Sequence, residues 1–267
     1  MNGDSTRVMC RLQDDIITAN SLGHKVFGVF LQGSQNYNLD YDGSDIDTKV
    51  IVLPSFEDIV LNRQPVSTTH VREDNAHIDL KDIRLMWQCF KKQNINFLEI
   101  LFTDHFIVNN MYKDLWYEMR SRAEDIAHYN NYAAVNCIAG MVFEKHAALC
   151  HPYPTLKDKI DRYGYDNKQL HHIIRCKEFL ERYIKGVSYE DCLIPTNPAE
   201  LIEIKSEYKL SLDEAKRVAD SCKADVKAIK EHYMNTHPVK VRDDVAEFMQ
   251  NILVEALRRS LRSEIWK

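Results

Sequence analysis

The ten residues 45–54, DIDTKVIVLP, place two aspartates at the head of a β-branched, apolar run closed by proline. Such a run reads as a strand, and Pro54 stops it because proline has no N–H for a ladder. Alternate residues of a strand project from one face, about 6.6 Å apart. Asp45 and Asp47 therefore point the same way, and two like charges so placed repel unless water or a cation lies between them. Just upstream, KVFGVFLQG (25–33) is a nearly continuous apolar run, as expected of a strand buried on both faces, and it breaks at Gly33-Ser34. A glycine there lets backbone amides approach a phosphate closely, and Ser34 adds an N–H and a hydroxyl.

The remaining pattern separates into two halves. An opening helix carries Val8, Met9, Leu12, Ile16 and Ile17 on one face. After Pro54, SFEDIVL predicts a short helix, NRQPVSTTHVRED a loop or irregular hairpin, NAHIDL a third strand, and KDIRLMWQCFKKQ a further helix. Beyond Asp104 the strand signal stops. A helix over 166–186 opens at Asp166 and Gln169 and ends at Gly186; another opens at Ser211 and Glu214; the tail from Asp243 is amphipathic. The expected fold class is α+β: a short mixed sheet with helices over residues 1–105, followed by an all-helical domain over 106–267.

With 45% apolar and 28% charged residues in 267, the composition is that of a globular chain. A net charge of −5 argues against a positively coated protein, though not against a local basic groove. No stretch approaches the roughly 18 uncharged apolar residues of a membrane span. Seven scattered cysteines, an odd number with no Cys-x-x-Cys pair, suit a reducing compartment. The expected location is the cytoplasm, with no membrane partner.

The chemistry concentrates around the Asp-Ile-Asp run. Magnesium prefers few carboxylates plus phosphate oxygens, so Asp45 and Asp47 beside Gly33-Ser34 suit a metal-bound triphosphate. A third carboxylate on a neighbouring strand would let two metals clamp a phosphoryl centre. Asp79 is the first choice, with Asp82 and Asp74 as competitors. Lys49 and Lys81 either contact phosphate or balance the carboxylates. Lys168, His172 and Arg175 fall at i, i+4 and i+7 and share one helix face, from which His171 points away. Tyr37 either stacks on a base or packs.

Gly33-Ser34, a short span and Asp45-Ile46-Asp47 together resemble the nucleotidyltransferase signature of the DNA polymerase beta superfamily. Within it, GSQNYNLDYDGSDIDTKVIVLP is similar to a bacterial and phage family of predicted nucleotidyltransferases linked with RNA repair. Gly33, Ser34, Tyr37, Leu39, Ser44, Asp45, Ile46, Asp47 and Pro54 match its pattern. NINFLEILF (94–102) resembles a second family segment, with Ile95 where that family has proline, and GYDNKQLHHIIR (164–175) a third. The resemblance implies a minimal polymerase-beta-type domain and transfer of a nucleoside monophosphate from an NTP to a hydroxyl, with release of pyrophosphate. It implies Asp45, Asp47 and Asp79 as catalytic ligands of Mg²⁺, or Mn²⁺, and Gly33, Ser34, Tyr37, Lys168, His172 and Arg175 as nucleotide contacts. The implied acceptor is an RNA end such as a broken tRNA, in a bacterium or a phage-infected host. Two alternatives stand beside it: a protein hydroxyl, as in toxin–antitoxin relatives, and a nucleotide-binding regulatory module without turnover.

Overall fold

The computed structural model describes residues 2–265, and the side chains of residues 5–264. The fold is α+β, a mixed sheet with helices and a separate helical unit, as the sequence predicts. Five strands among the described residues, β1 (Lys25–Gln32), β2 (Asp47–Leu53), β3 (Ser67–Val71), β4 (His77–Asp82) and β5 (Phe106–Val108), form one sheet. Their spatial order is β3-β4-β2-β1-β5. β2 pairs with β4 in parallel and with β1 antiparallel, which makes the sheet mixed.

Strand alternation sets the two faces. Ile46, Val50 and Val52 around β2, Val29 and Leu31 of β1, and Ile78 and Leu80 of β4 are buried in one cluster with Val8, Leu12 and Ala19 of the first helix, Asn2–Ser21. Each valine, leucine or isoleucine among them contributes about 1.5–3 kcal/mol when fully buried. Ile17, expected on that apolar face, is instead 66% exposed. One acid lies under the helix: Asp15 accepts from Thr48 Oγ1 at 2.6 Å and from Arg72. Burial pushes its carboxyl upward, against these two partners. On β1 the ring of Phe30 meets Trp116 at 4.4 Å, and that of Phe27 meets Tyr112 at 5.3 Å.

The chain divides into two compact units, and their boundaries differ from the expected division at 105/106. The sheet unit comprises residues 1–36, 42–129 and 241–267; the helical unit comprises 37–41 and 130–240. Two elements explain the difference. β5 lies beyond residue 105, yet it pairs with β1. The last helix, Asp243–Ile265, returns to the sheet unit: Val245, Met249, Ile252 and Ala256 are buried at helical spacing, and Arg259 makes a bidentate pair with Asp114 at 2.7 and 2.8 Å.

In the helical unit, the helices Asn131–Ala148, Asn167–Tyr183 and Leu212–Thr236 pack against one another. Leu170, Ile173, Phe179, Leu180 and Tyr183 supply the buried face of the middle one. Asp166 caps it by accepting from Lys168 N, while Gln169 donates to Asp166 at 3.2 Å. Ser211 and Glu214 form a reciprocal capping box at the start of Leu212–Thr236. No helix among the described residues is long and apolar enough to cross a membrane.

Candidate active site

β1 ends at Gln32, opposite Asp47 at the start of β2. Gly33 then turns the chain with φ of +89°, a region that favours glycine, into the 3₁₀ turn Ser34–Tyr37. Asn36 closes this turn, its N–H donating to Gly33 O at 3.0 Å and its Nδ2 to Leu31 O at 2.9 Å. The Gly33 N–H donates to Glu99 Oε2 at 3.1 Å, and Glu99 is only 3% exposed. A Cβ on Gly33 would lie 3.8 Å from Asp47 Oδ2, so the carboxylate borders the turn directly.

Ser44, Ile46 and Thr48 are buried, while Asp45 is exposed and Asp47 half-buried. The two aspartates thus emerge on the face opposite the first helix. Gln35 Nε2 donates to the Asp45 carbonyl at 3.5 Å. Asp47 Oδ1 accepts from His77 N at 2.8 Å and lies 3.2 Å from His77 Nδ1.

One step further along the sheet, the parallel register sets Lys49 beside Asp79. Lys49 Nζ donates to Asp79 Oδ2 at 2.6 Å and lies 4.8 Å from the centre of the Phe97 ring; the lysine is 4% exposed. Lys81 approaches Asp79 Oδ1 at 3.2 Å and Thr69 Oγ1 donates to the same oxygen at 3.3 Å. Burial alone would raise the Asp79 carboxyl, but the ammonium groups of Lys49 and Lys81 hold it below its ordinary range. Asp82, a competitor for the third carboxylate, caps the next helix and pairs with Arg84; Asp74 pairs with Arg11. Among the described residues, no three of His, Cys, Asp and Glu converge into a metal-binding set.

The other expected nucleotide contacts belong to the helical unit. Tyr37 is 4% exposed, and the Arg175 guanidinium lies 4.2 Å from the centre of its ring; Arg175 itself is 5% exposed. This is a packed cation–π pair. Lys168 is exposed, and His172 Nδ1 is buried with no hydrogen-bond partner. Burial holds His172 well below the ordinary histidine range, and neighbouring Arg175, His171 and Lys168 add to the effect. His171 is 2% exposed with Nδ1 at 2.9 Å from Leu201 O, a packing role.

Sequence reasoning passed over two residues of this site. His77 stands two positions before Asp79, hence on the same strand face, and that alternation was the available signal. Glu99 is a lone charge within NFLEILF, the pattern of a buried acid with a dedicated partner.

No protein-family model and no curated protein matches this chain. Among solved structures, a nucleotidyltransferase-like protein from Exiguobacterium sibiricum is similar at a TM-score of 0.32 and 10% identity, over 84% of this chain and 74% of that one.

Proposed function

We propose that the chain is a cytoplasmic nucleotidyltransferase that moves a nucleoside monophosphate from an NTP to a hydroxyl acceptor. The observation that carries this reading is the Asp47 carboxylate set against the Gly33 turn, with exposed Asp45 beside it. Hard carboxylate oxygens at an open sheet end fit a magnesium or manganese ion, which completes its shell with phosphate oxygens and supplies charge neutralisation there when bound. Asp79 fits less well, since Lys49, Lys81 and Thr69 already engage its oxygens.

In the proposed reaction the acceptor oxygen attacks the α-phosphorus, the bond to the bridging oxygen breaks, pyrophosphate leaves, and the hydroxyl proton passes to solvent. The chain contributes mostly position and charge, as phosphoryl transfer requires. Glu99 occupies the Gly33 amide, which leaves triphosphate contact to the Ser34 amide and hydroxyl. Within the helical unit, Arg175 holds Tyr37. The seven free thiols agree with a reducing cytoplasm.

The acceptor follows from the sequence resemblance: an RNA end, in a repair setting. Incubation with each α-labelled NTP, Mg²⁺ or Mn²⁺, and RNA or protein acceptors tests it. Label in RNA is the expected result; label in protein replaces the acceptor, and nucleotide binding with no transfer to either overturns the enzyme reading.

The turn makes a second expectation specific. Gly33→Val forces a β-branched residue into a left-handed backbone beside Asp47, whereas Ser34→Ala keeps the amide donor. Calorimetric titration with Mg-NTP should show the larger loss of affinity for Gly33→Val, and the reverse ranking contradicts a backbone-built phosphate site.

A further inference from the structure

The geometry points to a single-ion centre, in which the Lys49 ammonium takes the place of a second metal ion at Asp79. This deepens the nucleotidyltransferase reading and rests on it. A two-ion centre of this kind needs a third carboxylate with oxygens open to metal. Asp79 is the residue the sequence offers, and its Oδ2 receives Lys49 Nζ at 2.6 Å while its Oδ1 faces Lys81 at 3.2 Å and Thr69 at 3.3 Å.

This pairing is built into the sheet. β2 and β4 run parallel with Lys49 opposite Asp79, so both side chains leave the same face at the same level. Lys49 is 4% exposed and its ammonium lies against the Phe97 ring, which limits where it can move if an ion arrives. Displacing it would bury an ammonium without its carboxylate, an unfavourable exchange. Asp47 differs in each respect: it is half-exposed, its Oδ1 engages His77, and its Oδ2 lies toward the Gly33 turn. Lys49 lies two residues beyond Asp47 on the same strand face, about 6.6 Å along the chain. There it supplies a fixed positive charge near the phosphoryl centre that needs no ion to be recruited.

The test counts ions. Manganese titration of the full chain with a non-hydrolysable NTP analogue, followed by electron paramagnetic resonance, should give one bound ion per chain. Asp79→Asn, which keeps a hydrogen bond to Lys49, should leave that count at one, and Asp47→Asn should remove it. Lys49→Met combined with Lys81→Met frees Asp79 from both ammonium groups and should raise the count to two; if that variant does not fold, the Asp79→Asn count still decides. A wild-type count of two, an ion lost in Asp79→Asn, or a folded double variant still binding one ion overturns the single-ion centre alone. A wild-type count of zero with nucleotide bound overturns the metal-dependent reading beneath it.

Discussion

Replacing Asp47 with Asn will cut the proposed nucleotidyl transfer at least about a hundredfold, equivalent to about 2.7 kcal/mol of lost transition-state stabilisation. The melting temperature will change little. Asp47 combines two tasks that the substitution separates. Its Oδ1 accepts the His77 N–H at 2.8 Å, and an amide oxygen can do the same. Its negative charge, set 3.8 Å from where a Gly33 Cβ would stand, is what the proposed ion requires, and an amide lacks it. Asp47→Ala removes both, and His77 is an exposed residue at the start of its strand, so the structural cost stays small. Transfer rate and thermal melting for wild type, Asp47→Asn and Asp47→Ala measure the two tasks independently. Near-normal turnover by either variant would show that the Asp-Ile-Asp pair is only a solvated strand end.

Acid will weaken the helical unit well above the pH at which its carboxylates titrate. Burial, with Arg175, Lys205 and Lys168 nearby, lowers the His171 pKa from 6.5 to about 4, against the Leu201 carbonyl contact that raises it. In the unfolded chain the same imidazole takes up a proton near 6.5. The folded-state pKa is the lower one, so this stability is fully present above about 6.5 and is lost as pH falls toward 4. Between pH 7 and pH 5 the loss from His171 amounts to about 2 kcal/mol. His172 shifts in the same direction and adds to it. His171→Gln keeps a donor for Leu201 O and removes the titration. Denaturant unfolding at pH 7 and pH 5 should therefore show a smaller pH difference for the variant, by about that amount. Equal differences in the two proteins would mean that His171 takes up its proton without unfolding.

How far the sequence disclosed this molecule depends on whether a feature is local. β1 and β2 are legible because their apolar runs are long, and the turn at Gly33 because only glycine suits its backbone. β3 is not, since every residue of Ser67–Val71 is exposed and only its pairing with β4 makes it a strand. β5 has three residues, too few for any periodicity. The same limit governs the site. Asp45 and Asp47 declare themselves by alternation, but the role of Lys49 follows from the register of a parallel pair thirty residues apart in sequence. Nothing near Lys49 in the chain states which residue will face it. Tyr37 and Arg175 likewise find each other only through the fold, as a packed pair.

The return of the helix Asp243–Ile265 to the sheet unit bears on how the protein is made. A ribosome delivers residues 130–240 whole before that last helix emerges, so the helical unit can settle while the sheet unit is still unfinished. Asp114, and the Met111 carbonyl to which Arg259 also donates, then lack that partner until Asp243–Ile265 emerges. The sheet unit draws on segments from both sides of the helical unit, so the helical unit need not wait for it. During translation the sheet unit would complete after residues 130–240 have been made.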